Sequence, residues 1–268
     1  MRKNAVILPL LALIAGALGF AVRLYERQTV FDSTTGFPVM YAPVSLALIG
    51  LSVAVLVYAI LAAVVTSGTH TAERSYTGAF APEGFSYIGM SYLLAIVWLV
   101  SNVLYVLSLL KGNSAGLIQL FFIFLSVIAA LSVMFLARAA YKGRGGAELL
   151  FFSIMPPLFY CFWLVVLYKE NASNPVLLDY CYETLAIAAA ALATYFSAGY
   201  VFKKAATGWT LFSYLTTIYF GTIVLADKSR MTGSTDLPIL LIFAVTVAVA
   251  FINAVVFIKN LQDRDDVA

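Results

Sequence analysis

The side chains that could do chemistry sit mostly at the ends of long apolar stretches. Arg23, Glu26 and Arg27 follow one another at spacings of three and four, so on a helix they share a face and can pair. Asp179, Tyr180, Tyr182 and Glu183 precede a later apolar run, Glu170 closes the run before it, and Asp227 with Lys228 closes another. Acidic groups outnumber basic ones in this second patch. Carboxylates and guanidinium groups gathered at a membrane mouth suit the binding of a small charged solute or an ion. A carboxylate such as Glu183 that enters lipid needs a counter-charge, from Arg23 or Lys228, and that pairing is how a proton-coupled or cation-coupled site begins. Arg23, Glu26, Asp179, Tyr180, Glu183 and Asp227 are therefore the candidate binding residues. Each also has a plainer role: the arginine group as snorkelling anchors at the headgroups, Glu183 as a carboxylate at a helix N-terminus, and the tyrosines as an interfacial belt.

Two features lie deeper. Pro156-Pro157 removes two backbone donors inside an apolar run, which predicts a kink or break, and broken helices are where transporters often place a site. Tyr160 and Trp163 follow within two turns and either line a cavity or sit at the interface. Ser101, Asn102 and Asn253 read as hydrogen-bonding glue between helices. The hydroxyl-rich run Ser213, Thr216, Thr217, Tyr219 and Thr222 either lines a water-filled path or packs on the small residues Ala186, Ala190, Thr194 and Ser197.

These residues must be positioned by helices that cross a bilayer. The 268-residue chain is 63% hydrophobic and 11% charged, far from the composition of a water-soluble globule. A span needs about 20 apolar residues, and eight segments reach that length: Ala5 to Leu24, Pro43 to Val65, Phe85 to Leu110, Leu117 to Tyr141, Leu149 to Tyr168, Leu185 to Phe202, Trp209 to Ala226 and Leu237 to Ile258. They are continuously apolar, which excludes the alternating strands of a membrane barrel. The expected fold is an all-α polytopic bundle of eight transmembrane helices, residues 1–268 forming a single integral membrane domain.

Of the 16 Lys and Arg residues, ten fall on the side of the termini and six, including Arg23, Arg27 and Lys228, on the other, so both termini are expected in the cytoplasm. Arg2 and Lys3 ahead of an apolar run and Ala15-Gly16-Ala17 also resemble a cleavable signal peptide, but the hydrophobicity continues through Val22 and favours an uncleaved first helix. A faint four-plus-four parallel repeat is suggested by Leu24-Tyr25 against Leu167-Tyr168, and by Phe85-Ser86-Tyr87 against Phe212-Ser213-Tyr214.

His70 is the only histidine, which argues against haem between helices and against a His-rich metal site, and no cofactor or metal is expected. Cys161 and Cys181 read as apolar packing residues. The net charge of +3 follows from the positive-inside pattern and gives no reason to expect nucleic acid. No Gly-x-Ser-x-Gly or dinucleotide-binding motif appears, so an enzyme is not favoured.

The run Arg23-Leu24-Tyr25-Glu26 to Phe31-Asp32, Thr35-Gly36-Phe37, Cys161-Phe162-Trp163-Leu164, and Asn174-Pro175-Val176 before Asp179-Tyr180 resembles uncharacterised bacterial multi-pass membrane proteins over most of the chain. That resemblance implies a bacterial cytoplasmic membrane and implies no activity. Three functions stay open. The first is binding or transport of a small solute or ion. The second is a membrane-embedded accessory or sensory subunit that contacts a partner protein through small-residue helix faces and the acidic tail Asp263, Asp265 and Asp266. The third is a lipid-headgroup enzyme built on Asp179 or Glu183.

Overall fold

The computed structural model describes residues 5–31, 39, 42–112, 116–144, 146–230 and 236–263. Arg2, Lys3, Asp32, Thr35, Gly36, Asp265 and Asp266 lie outside them. Among the described residues the chain is an all-α bundle whose eight long helices are apolar enough to cross a membrane. They are α1 (Ile7–Thr29), α2 (Pro43–Thr69), α4 (Phe85–Gly112), α5 (Leu117–Lys142), α6 (Ala147–Asn171), α7 (Leu177–Val201), α8 (Thr207–Lys228) and α9 (Asp236–Lys259), with the single turn α3 (Tyr76–Ala79) between α2 and α4.

Several helices outrun the apolar segments that define them. α1 continues five residues past Leu24, and α7 begins eight residues before Leu185. An apolar run ends where charges gather. The backbone does not, because inside a bundle a charged side chain can stay helical when a neighbouring helix supplies its partner. Glu26, Arg27, Asp179 and Glu183 are thereby carried on rigid helical turns.

The packing is organised around α8. Some 83% of its apolar window is buried, against 28% for α1 and for α2. α1, α2, α7 and α9 all pack against it. Small residues permit the close approach: a Cβ added at Gly19 of α1 would meet Ile223 Cγ1 at 2.8 Å, and one at Gly221 of α8 would meet Val247 Cγ2 of α9 at 2.5 Å. The hydroxyls of α8 mostly bond their own helix, as in Thr210 to Ala206 O (2.8 Å), Thr217 to Ser213 O (2.7 Å) and Thr222 to Ile218 O (2.6 Å). Satisfied locally, they can be buried against Ala186 and the rest of α7, while Thr217 with Ala190, Thr194 and Ser197 also lines a small inner cavity.

The suggested repeat is not reflected in the packing. α4 would be the counterpart of α8, yet it packs chiefly on α5 and α9 at the periphery. Shared tripeptides in a chain with 16 Tyr and 20 Phe do not fix a common environment.

α6 passes through Pro156 and Pro157 as one uninterrupted helix, so the expected break is absent. Ser153 donates to Leu150 O at 2.9 Å and does not bridge a gap in the helix. Flanking turns hold the helix together. Cys161 and Cys181 are both free.

One face of the bundle carries the start of α1 and the end of α9, and is closed by a small latch. Strand β1 (His70–Thr71) pairs antiparallel with β2 (Gln262–Asp263), His70 Nε2 lies 2.7 Å from Asp263 Oδ1, and Asn260 donates to Ala79 O and Ala81 O at 3.1 and 2.8 Å. Beneath it Phe80 packs on Tyr76, Tyr200, Tyr214 and Phe257. Burial pushes the Tyr76 phenol well above its ordinary value and keeps it neutral.

Candidate functional site

On the opposite face, the ends of α1, α6 and α8 meet the starts of α7 and α9. Three helices supply one charge network, sealed at its inner end. Arg23 donates from Nη1 to Glu26 Oε2 (2.7 Å), from Nε to Asp227 Oδ1 (2.9 Å) and from Nη2 to Leu178 O (2.9 Å), with its guanidinium 5.0 Å from the centre of the Tyr182 ring. Arg23 and Glu26 are 0% exposed. The spacing of three on α1 gives the Arg23–Glu26 pair. The remaining bonds staple α1 to α7 and α8.

Arg27, one turn on, completes the network. Its Nε shares Asp227 Oδ1 at 2.7 Å, its Nη1 pairs with Asp179 Oδ1, and its Nη2 donates to Asp179 O at 2.8 Å. Asn174 Nδ2 holds the other Asp179 oxygen at 3.0 Å, and Arg230 donates to Arg27 O at 3.2 Å. Two arginines thus face three carboxylates. Glu26 Oε1 is buried without a hydrogen-bond partner among the described residues, an atom that a buried carboxylate normally satisfies.

A second pair is distinct from the first. Lys228 Nζ lies 3.0 Å from Glu183 Oε2, while Arg23 is committed to Glu26 and Asp227. Of the two counter-charges considered for Glu183, the partner is Lys228. The reason is angular: α8 presents consecutive residues on different faces, so Asp227 turns to α1 and Lys228 to α7.

Beside these networks lies a vestibule of about 510 Å3. Its charged lining is Arg27, Glu170, Asp179, Glu183, Asp227, Lys228, Arg230 and Asp236, five carboxylates against three bases. Tyr180 and Asn171 complete the polar wall, and Tyr105, Trp163, Leu167 and Ile239 supply its less polar part. Asp179, Tyr180, Glu183 and Asp227, four of the candidate residues, line this space. Arg23 and Glu26 do not. They stand behind the wall and fix the helices that form it. The plainer role for Arg23 and Glu26, snorkelling to headgroups, fails as well, because neither side chain reaches solvent.

Tyr105 is not singled out by sequence, whereas Trp163 reads there with Tyr160 as either lining a cavity or sitting at the interface, and it lines the vestibule. In the fold it is 2% exposed and packs among Phe122, Phe159, Tyr160 and Phe243. Tyr168 at 76% and Trp209 at 63% exposure are the residues that remain in interfacial belts.

Nearer the terminal face is a second, smaller cavity of about 70 Å3. Its lining holds no charged residue. Tyr160 and Thr246 share a hydrogen bond of 2.8 Å there, Tyr87 donates to Asn253 Oδ1 at 2.9 Å, and Ser197 and Tyr214 lie 2.6 Å apart. Pro156 is also in this lining. Trp163 borders the vestibule and Tyr160 the inner cavity, so about one turn of α6 and its aromatic neighbours separate them.

Among the described residues no three His, Cys, Asp or Glu side chains converge as a metal-binding group. No known family model, no curated protein and no solved structure matches this chain.

Proposed function

We propose that this chain binds a small solute or ion in the charged vestibule and passes it across the membrane through the inner cavity. The observation that carries this reading is the succession of two cavities along the bundle, one charged and one neutral, divided by a single aromatic layer at Trp163 and Tyr160. Such a layer is thin enough to open by side-chain rotation and small helix shifts. Asp179, Tyr180, Glu183 and Asp227 bind at the wall, and Arg23 with Glu26 hold it in place. The distribution of Lys and Arg supports cytoplasmic termini, with the vestibule facing outward, and the sequence resemblance supports a bacterial cytoplasmic membrane.

Two competing functions gain less support. The small-residue face of α7 is occupied by α8, which leaves it closed to a partner subunit. Asp179 is ion-paired with Arg27 and Glu183 with Lys228, which lowers the basicity either would bring to a lipid headgroup.

A thermal-shift screen of the purified protein against small amines, carboxylates, polyols and alkali salts tests the reading. At least one class is expected to stabilise the protein and to lose that effect in Glu183→Gln. Liposomes carrying the wild type are expected to accumulate the same compound. If no class binds, or if binding is indifferent to the vestibule residues, the proposal falls.

A further inference from the structure

The charges around the vestibule are not evenly matched. Each lining base is already engaged: Arg27 by Asp179 and Asp227, Lys228 by Glu183, and Arg230 by Arg27 O. Glu170 makes no ion pair or hydrogen bond among the described residues. Burial and the neighbouring Glu183 carboxylate work against its charge, and Lys228 and Lys169 favour it. The uncompensated charge of the wall is therefore negative at Glu170.

A separate observation lies deeper in the same cavity. Tyr105 is 5% exposed and Trp163 2% exposed, and neither Tyr105 Oη nor Trp163 Nε1 has a hydrogen-bond partner among the described residues. Both residues line the vestibule. Buried phenol and indole groups ordinarily find a partner. Two such residues lining one cavity suit a ligand that satisfies both.

We infer that this end of the vestibule recognises a primary ammonium group on a small organic molecule that carries a hydrogen-bond acceptor beside it. The inference rests on the solute-binding reading above. Glu170 and Tyr105 Oη accept from the ammonium, and Trp163 Nε1 donates to the neighbouring acceptor. The phenol oxygen accepts readily from a cation, and its proton remains free for Glu170 or the ligand. Among the described residues the carboxylates are spread round the wall and do not converge as metal ligands, which favours an organic ammonium over a bare metal cation.

Calorimetric titration of the purified protein with ethanolammonium, propylammonium, ethylene glycol, glycolate and sodium separates the alternatives. Ethanolammonium is expected to bind, propylammonium more weakly, and the other three not to compete. Glu170→Gln should weaken ethanolammonium by about tenfold or more, as loss of a charge-assisted bond does, with its unfolding midpoint unchanged. Tyr105→Phe should weaken it several-fold. Trp163→Phe should abolish the preference for ethanolammonium over propylammonium. If glycolate or ethylene glycol binds, sensitive to Glu183→Gln, while the ammonium probes do not, this inference is wrong and the vestibule reading stands. If ethanolammonium binds equally well to wild type, Glu170→Gln and Tyr105→Phe, the assigned residues are wrong. If none of the five binds, the ammonium site is refuted, and the vestibule reading falls with it when the wider screen is also blank.

Discussion

Arg23 and Lys228 are both cations near the end of a helix, on the same face of the bundle, each with a carboxylate partner, yet they end in opposite surroundings. Arg23 and Glu26 are sealed at 0% exposure, and four groups besides Glu26, namely Asp227, Leu178 O, Asp179 O and the Tyr182 ring, surround the guanidinium. Lys228 and Glu183 keep 18% and 10% of their side chains exposed and border the vestibule. The fork of donors on arginine allows several acceptors at once, so its desolvation is offset within the protein; an ammonium point charge keeps a route to water. The first arrangement holds helices together and the second leaves charge available to a ligand.

The sharpest way to break that contrast is Arg23→Gln. It leaves Glu26 and Asp227 short of a counter-charge in the interior, and a loss of about 3–5 kcal/mol is expected from removing one partner of a buried pair. Chemical unfolding in mixed micelles measures it. The double variant Arg23→Gln with Glu26→Gln should recover part of the loss. A double variant as unstable as the single one would show that Glu26 is not the group left stranded.

Lys228→Met should have a smaller effect, about 1–3 kcal/mol, since water reaches the Glu183 carboxylate that it abandons. Combined with Glu183→Gln its effect should be clearly non-additive, whereas Arg23→Gln with Glu183→Gln should be closer to additive. The reverse pattern would mean that Glu183 answers to Arg23. In the neutral cavity, Tyr160→Phe removes the bond to Thr246 and should cost about 0.6 kcal/mol, the average for such bonds between helices in a membrane. Smallest of all is Glu170→Gln, expected within about 0.5 kcal/mol of wild type because it removes no partner. A large destabilisation there would show that Glu170 supports the fold.

The two cavities repeat the lesson on a larger scale. The vestibule collects its charges from helix ends, where water is close. The inner cavity is restricted to hydroxyl, phenol and amide groups, whose bonds to Thr246, Asn253 and Tyr214 are formed within the protein. Four of the six candidate binding residues line the vestibule, and three of them, Asp179, Glu183 and Asp227, are conspicuous in the sequence as charges at the end of an apolar run. Tyr105 is not marked at all, and Trp163 stays open between a cavity and the interface, because an aromatic residue in an apolar run has the same hydropathy signature in a belt, in a core or at the floor of a cavity.

The sequence by itself determined that eight helices cross a membrane, because continuous apolar runs can satisfy their backbone in lipid only as helices. It also determined which face of the bundle gathers carboxylates, because charges mark the ends of those runs. Only the tertiary structure decided that α8 is central, that Arg23 is sealed by Asp227 while Glu183 turns to Lys228, and that Pro156 and Pro157 lie inside an unbroken helix. The physical reason is that lipid tails and helix interiors are equally apolar. Hydropathy therefore says that a helix is in the membrane without saying which of its faces meets another helix, and close packing of small residues and pairing of charges settle that only when the helices meet.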